Sequence, residues 1–145
     1  METQSIIKVL LLEDERADAR LIRAYLQSRA QTVKSSPAYD VHLAQKTTTA
    51  VDMLQHHSFD IILCDLTLPD SHGLDTFNRL YEIAGDTPIV ILSGYADEQI
   101  ALEAVKNGAQ DYIHKNDLSP SLLSRVAVSM RSNIVCQRCM FSMLR

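Results

Sequence analysis

The stretch "DIILCDLTLPD" at residues 60–70 decides the fold, because an apolar run of strand length ends there in the carboxylate of Asp65. Similar apolar runs occur at residues 6–12 and 89–92. Runs without polar alternation are typical of parallel strands that helices cover on both faces. A strand of this kind has little reason to end in an acid unless the acid has a task.

Bulk composition excludes several classes of function. The chain has 145 residues, which fits one domain, and a formal net charge of −4. It therefore lacks the basic surface that direct nucleic-acid binding requires. No apolar run is long enough to span a membrane, and the N-terminus does not resemble a secretory signal. Its three cysteines are typical of reduced thiols, so we expect a cytoplasmic protein.

Helical patterns alternate with the strand candidates, which include two shorter ones at residues 39–44 and 111–114. The predicted helices cover residues 16–30, 47–56, 73–84 and 97–107, and a last one that begins near Ser119 and Pro120. Five repeats of strand and helix predict an α/β fold, a doubly wound parallel sheet with helices on both faces.

Two helices carry specific packing predictions. On the helix at 16–30, the predicted buried stripe consists of Ala17, Leu21, Ala24, Tyr25 and Ser28. On the helix at 97–107, it consists of Ile100, Ala101, Ala104 and Val105, and Gly108 is predicted to end that helix in a left-handed conformation.

Polar residues follow the predicted strands where each strand ends. They are Glu13, Asp14, Glu15, Asp65, Ser93 and Lys115. A single acid in such a place is explained by solvation or by the dipole of the next helix. Ligand sites of open parallel sheets, however, lie beyond the carboxyl ends of the strands. The coincidence of these residues at successive strand ends therefore predicts one shared site.

Phosphoryl transfer with Mg²⁺ is the chemistry that this set suggests. Crowded carboxylates repel one another unless a cation neutralises them, and Mg²⁺ binds to hard oxygen ligands. Lys115 can pair with a phosphate oxygen, and Ser93 can donate a hydrogen bond to it. Asp65 is then the candidate nucleophile.

At these residues the chain resembles the receiver domains of response regulators, from about residue 6 to about residue 130. The matching stretches are "VLLLEDE" (9–15), "DIILCDLTLPDSHGLD" (60–75), "TPIVILSGYAD" (87–97) and "AVKNGAQDYIHK" (104–115). The resemblance implies a flavodoxin-like, CheY-like sheet of five parallel strands in the order 2-1-3-4-5. It also implies a receiver domain over residues 1–130 and a C-terminal extension over residues 131–145.

The resemblance further implies roles around Asp65. This residue would accept a phosphoryl group from a phosphohistidine on a sensor histidine kinase or a phosphotransfer protein. Asp14 would bind Mg²⁺ directly, Glu13 would assist through water, and Thr67 would contribute its backbone carbonyl. Glu13 stands where the family more often has aspartate.

A switch is the other implication of the resemblance. Ser93 and Lys115 would hold the phosphoryl oxygens, and Tyr112 would turn inward when Ser93 moves. The surface of the fourth helix, fifth strand and fifth helix would then change. Asn116 stands where the family usually has proline, which predicts either a costlier cis peptide or a differently built loop.

The last residues carry a stripe with heptad-like spacing. It consists of Leu123, Ala127, Met130, Ile134, Gln137, Phe141 and Leu144. One interpretation is a single long helix whose first half packs on the sheet. The other is a helix that pairs with a second copy and leads to an output domain. The pair "CQRC" at 136–139 lacks a second pair and favours no function.

Three functions compete at this stage. The favoured one is a phosphorylated signalling switch that is not an enzyme beyond accepting and slowly losing its own phosphoryl group. The second is an aspartate-nucleophile phosphohydrolase, but Thr67 stands where such enzymes commonly have a second acid. The third is a non-phosphorylated interaction module, which the presence of Asp14, Asp65, Ser93 and Lys115 together disfavours.

Overall fold

The computed structural model describes residues 6–32 and 37–130, apart from the side chains of residues 29–32 and 95. Its main strands are β1 (Ile6–Leu12), β2 (Ala38–Ala44), β3 (Ile61–Asp65), β4 (Ile89–Ser93) and β5 (Asp111–His114). Its helices are α1 (Arg16–Thr32), α2 (Thr47–His56), α3 (Leu74–Ala84) and α4 (Glu98–Lys106), with α5 described over residues 120–130.

The five strands form one parallel sheet in the order β2-β1-β3-β4-β5. This order confirms the predicted doubly wound, flavodoxin-like fold. Strand β3 lies between β1 and β4, so Cys64 pairs with Leu12 and Asp65 pairs with Leu92. The strand that ends in Asp65 is therefore at the centre of the sheet, where the ends of its neighbours meet it.

Helices cover both faces of the sheet. Ile61 and Leu63 of β3 point to the core under α1 and α5, whereas Ile62 and Cys64 point to the core under α2, α3 and α4. All residues of β3, including Asp65, are buried. Burial on both faces explains why this strand is apolar without alternation.

The predicted stripe on α1 is wrong except for Tyr25, which is half-buried against the core under α1 and α5. Ala17, Leu21 and Ala24 are exposed, and the helix instead buries Ile22 and Leu26, together with Ala19. The two patterns differ by a rotation of about one residue. The observed one prevails because it removes a pair of large aliphatic side chains from water, whereas the predicted one contains a single large aliphatic side chain, Leu21.

The predicted ends of α4 and α5 agree with the structure. Gly108 has φ +127° and follows α4, where its N–H donates to Val105 O (3.2 Å) and that of Ala109 donates to Ala104 O (2.9 Å). A Cβ at Gly108 would lie 2.5 Å from the Tyr81 ring. At the start of α5, Ser119 Oγ accepts a hydrogen bond from the N–H of Leu122 at 3.1 Å.

The C-terminal stripe is described only in part. Leu123, Ala127 and Met130 are buried in the core under α1 and α5, so this part of the stripe packs within the chain. Ile134, Gln137, Phe141, Leu144 and the "CQRC" pair lie outside the described residues, as does the extension at 131–145. Within the described ranges, no helix combines the length and apolarity needed to cross a membrane.

Candidate functional site

Strand ends bring three carboxylates together at one edge of the sheet. One oxygen from each of Glu13, Asp14 and Asp65 lies within 4.8 Å of the others, and we call these residues the acid cluster. Glu13 and Asp14 directly follow β1, while Asp65 is the last residue of β3. Glu13 and Asp65 are buried and Asp14 is exposed, so the cluster is open to solvent on the side of Asp14.

Lys115 is the counter-charge of the acid cluster. Its Nζ forms an ion pair with Glu13 Oε2 at 2.9 Å and donates a hydrogen bond to Asp65 Oδ2 at 3.0 Å. It also donates to Asp18 Oδ2 at 3.2 Å. Lys115 follows β5 directly, and this position carries its side chain to the edge where β3 ends.

The backbone after Lys115 shows which of the two alternatives predicted for Asn116 is present. No peptide bond among the described residues is cis, so the loop is built differently from a cis-proline turn. Residues Lys115–Asp117 form a short 3₁₀ helix, in which the Asn116 N–H donates to His114 Nδ1 at 3.2 Å. Lys115 contacts Asp65 with this trans backbone.

Burial and charge shift the titration of two groups. Burial raises the pKa of Glu13 from 4.5 to about 7, against the lowering effect of its bond with Lys115, and the charge of Asp65 adds to the rise. Burial opposes the charged form of Lys115 as well, but its bond with Glu13 and the charge of Asp65 raise its pKa overall. A single ammonium thus leaves the acid cluster under-neutralised, as expected for a cation site.

Ser93 contributes a hydroxyl at the end of β4, the strand next to β3. It ends β4, one residue beyond the partner of Asp65 in the sheet, and it is fully buried. Its Oγ has no hydrogen-bond partner among the described residues. A buried hydroxyl without a partner is unfavourable by about 1–3 kcal/mol, so this position suits a ligand that accepts its hydrogen bond.

Thr67 belongs to the loop that follows Asp65. Its N–H donates to Asp65 Oδ1 at 3.2 Å, so each carboxylate oxygen of Asp65 has one donor, from Thr67 or from Lys115. Thr67–Leu68 pairs with Ser71–His72 as a short antiparallel ribbon. The metal contact of the Thr67 carbonyl stays a prediction.

The same loop is anchored to the start of α2. Asp70 Oδ1 accepts from the Thr47 N–H at 2.8 Å, and Oδ2 accepts from the Thr48 N–H at 3.0 Å. The Ser71 hydroxyl lies 2.6 Å from Thr47 Oγ1 and 2.7 Å from Thr76 Oγ1. Burial works against ionisation of Asp70, yet the hydrogen bonds from Thr48 and Thr47 lower its pKa to about 2.

Sequence reasoning missed Asp18 and Asp70. Asp18 lies in the first turn of α1, which begins directly after the acids that follow β1, and this closeness in the chain was a usable signal that Asp18 lies near the same edge. Asp70 had no such signal, because it caps a helix that begins 23 residues earlier in the chain.

Tyr112 lies away from the acid cluster on a neighbouring groove. This residue of β5 is half-buried and packs against the core under α2, α3 and α4. It lines a groove of about 640 Å³ between α4, β5 and α5. The groove also contains Glu98, Asp111, Ile113, His114, Asn116, Asp117, Leu122 and Val126. The groove lining therefore combines apolar side chains with three acids.

Comparison with protein families matches residues 9–127 to the response regulator receiver domain. The cell cycle transcriptional regulator CtrA of Caulobacter vibrioides is 30% identical over 125 residues, which are 86% of this chain and 51% of CtrA. The chain thus spans about half the length of this relative.

Solved receiver structures are similar as well. One is the receiver domain of the sensor histidine kinase PA1611 from Pseudomonas aeruginosa PAO1, which has a magnesium ion coordinated in its active site cleft. It is 26% identical, with a TM-score of 0.72, over 88% of this chain and 99% of that chain. The receiver domain of the Francisella response regulator 1452 matches with a TM-score of 0.72 and 22% identity, over 88% of this chain and 98% of the other.

Proposed function

The chain belongs to the response regulator receiver domain family, and on this premise we propose that it is a switch controlled by phosphorylation of Asp65. The observation that carries the proposal is the bonding of this buried carboxylate. It lies within the acid cluster, and Lys115 Nζ contacts it at 3.0 Å. The ammonium can also pair with an incoming phosphoryl oxygen.

The proposed donor is a phosphohistidine on a sensor histidine kinase or a phosphotransfer protein. A carboxylate oxygen of Asp65 attacks the phosphorus atom and forms an O–P bond as the N–P bond breaks. The electron pair of that bond returns to the imidazole of the donor, and Asp65 becomes an acyl phosphate. Lys115 and the unpaired hydroxyl of Ser93 then bind phosphoryl oxygens, which satisfies the buried Ser93 Oγ.

Mg²⁺ is the proposed cofactor, and the residues at the edge fit it. Three carboxylates lie within 4.8 Å, and Lys115 is the one cation bonded to them among the described residues. Asp14 is exposed and would bind the ion directly, whereas buried Glu13 would act through water. Asp65 and the Thr67 carbonyl complete the proposed protein ligands. The bound ion would reduce repulsion between the acid cluster and the donor phosphate.

Signal output is proposed to occur at the groove between α4, β5 and α5. Lys115 and Tyr112 are three residues apart in the chain, so a shift of Lys115 toward a phosphoryl group acts on β5 directly. Tyr112 would then turn inward from the groove. The acids Glu98, Asp111 and Asp117 favour a partner with basic residues around an apolar contact.

A phosphohydrolase is disfavoured by the same geometry. Thr67, the second residue after Asp65, is exposed and offers no carboxylate as a general acid or base. The chain is therefore proposed to lose its phosphoryl group slowly and not to turn over phosphate esters. An interaction module that works without phosphorylation remains the alternative that the following experiment distinguishes.

Phosphoryl labelling tests the proposed acceptor. With Mg²⁺ and acetyl phosphate, the intact chain should gain the mass of one phosphoryl group, and Asp65→Asn should gain none, because an amide is not an anionic nucleophile. Asp70→Asn is the matched control and should be labelled like the unaltered chain. Labelling of Asp65→Asn would place the acceptor elsewhere, and an unlabelled intact chain would favour the interaction module.

A homodimer through the last helix is the second partner proposal. The buried stripe residues of α5 are occupied within the chain, so pairing would have to use other residues than Leu123, Ala127 and Met130. Light scattering of the labelled and unlabelled chain would report its size. A monomer in both states, at concentrations up to about 100 times those typical of signalling proteins, would contradict the homodimer.

A further inference from the structure

Lys115 is surrounded by more acids than its proposed task requires. Glu13, Asp65 and Asp18 each place a carboxylate oxygen within 3.2 Å of its Nζ. Asp65 Oδ2 and Asp18 Oδ2 accept hydrogen bonds from this ammonium, whereas Glu13 Oε2 contacts it as an ion pair. A phosphoryl oxygen that binds to Lys115 must therefore compete with these carboxylates for the ammonium.

Asp18 is the acceptor that is easiest to replace. Its contact is the longest of the three, at 3.2 Å, and its side chain is 43% exposed. The side chains of Glu13 and Asp65 are 0% and 8% exposed, and their contacts are shorter, at 2.9 and 3.0 Å. Water can solvate a released Asp18 carboxylate, but it cannot reach Glu13 in this way.

We propose that Asp18 is a positioning residue that holds Lys115 in the unphosphorylated state and competes with the phosphoryl group for it. This inference rests on the proposed function of Asp65. Asp18 acts in two ways: it occupies an N–H of Lys115, and its negative charge repels the phosphoryl oxygens that approach the same ammonium. Both effects weaken the phosphorylated state relative to the unphosphorylated one.

Beryllofluoride affinity provides the test, because this compound forms a phosphoryl-like adduct with an aspartate without a transfer step. At saturating Mg²⁺, Asp18→Asn should bind beryllofluoride about two- to five-fold more tightly than the intact chain, as expected for loss of one partly exposed charge contact. Mg²⁺ affinity without beryllofluoride should fall slightly or stay unchanged. A merely structural role would not strengthen one affinity without the other.

Glu15→Gln is the matched control for this experiment. Glu15 is an exposed acid three residues before Asp18, and it is not among the residues that form ion pairs with Lys115 in the described part of the chain, which are Glu13, Asp18 and Asp65. Equal gains for Asp18→Asn and Glu15→Gln, or no gain for Asp18→Asn, would overturn the role of Asp18. Thermal unfolding of each variant would verify that it is folded.

Failure of this inference is separable from failure of the proposed function. If the intact chain gains no phosphoryl mass and binds no beryllofluoride, the assignment of Asp65 is wrong and the inference falls with it. If the intact chain is labelled but Asp18→Asn behaves like Glu15→Gln, only the competition is wrong. A faster exchange of the Lys115 ammonium protons in Asp18→Asn, seen by NMR, would support the loss of the charged contact that holds the ammonium.

Discussion

Asp65 and Asp70 belong to the same stretch of sequence, residues 60–70, yet their environments are opposite. Asp65 is 6% exposed, with two further carboxylates within 4.8 Å and a lysine that bonds to it. Asp70 is exposed and accepts hydrogen bonds from two backbone N–H groups at the start of α2. The function of a carboxylate therefore depends on which group donates hydrogen bonds to it, and not on its position after a strand.

Backbone donors and a side-chain donor have different consequences. The amides of Thr47 and Thr48 belong to a helix terminus and stay in place, so Asp70 serves as a fixed cap. The ammonium of Lys115 is on a flexible chain and can follow a new anion. Asp65 is therefore suited to a change of state, and Asp70 holds the loop between them in position.

Replacement of Lys115, the mobile donor to Asp65, should have the largest effect. In Lys115→Ala, Asp65 should still take up a phosphoryl group or beryllofluoride, but the response at Tyr112 and the groove should be lost, since no ammonium transmits the new charge. NMR resonances of the Tyr112 ring and of the β5 amides would measure the response. Lys106→Ala, at the exposed end of α4, is the control. A full response in Lys115→Ala would remove the lysine from the switch.

The acid cluster should produce an unusual dependence of stability on pH. Burial raises the pKa of Glu13 from 4.5 in the unfolded chain to about 7 in the folded protein, so the folded state binds this proton more tightly. The contribution is complete below pH 4.5 and is lost as the pH rises through about 7, by on the order of 3 kcal/mol in metal-free protein.

Urea unfolding over this pH range would test the effect of Glu13. Glu13→Gln should lack the loss of stability, and Mg²⁺ should stabilise the intact chain more at pH 8 than at pH 5, because the ion and the proton compete for the cluster. Parallel pH profiles for the two proteins would contradict the buried acid. The pH dependence of stability due to Asp70 has the opposite sign. Its pKa is lowered to about 2, so it adds stability that is lost as the pH falls through that value.

Loss of the hydrogen bonds between Asp70 and the start of α2 should have the smallest effect. Asp70→Ala should lower the free energy of unfolding by about 1 kcal/mol, a typical value for a helix N-cap, and the melting temperature by about 3 °C. Asp70→Asn should lose much less, since an amide oxygen can still accept from Thr47 or Thr48. A calorimetric scan would measure both. A drop of several kcal/mol would mean that Asp70 holds the site as a whole.

Local sequence was sufficient for most of the fold. The strands and helices were predicted within a few residues, because β1, β3 and β4 are apolar runs and Gly108 and Ser119 mark helix ends. The acid cluster and Lys115 were predicted as neighbours for a similar reason. Parallel strands end at the same edge, so residues that follow them must lie close together.

Rotation of α1 was not predictable from its own pattern. Leu21 and Ile22 are adjacent, and each begins a plausible apolar stripe. Only packing against β1, β3 and α5 selects the face of Ile22 and Leu26. The same rotation fixes the direction of Asp18, and hence its contact with Lys115 across 97 positions of sequence.

By itself the sequence determined the order of strands and helices, the apolar centre of the sheet and the acids, hydroxyl and lysine that meet at its edge. Only the tertiary structure decided which partners those groups take: Lys115 with three carboxylates, Ser93 with no partner among the described residues, and Asp70 with the start of α2. The reason is physical. Strand and helix formation depends on neighbours along the chain, whereas a hydrogen bond or ion pair requires distant segments to be placed within a few tenths of an ångström of the right separation.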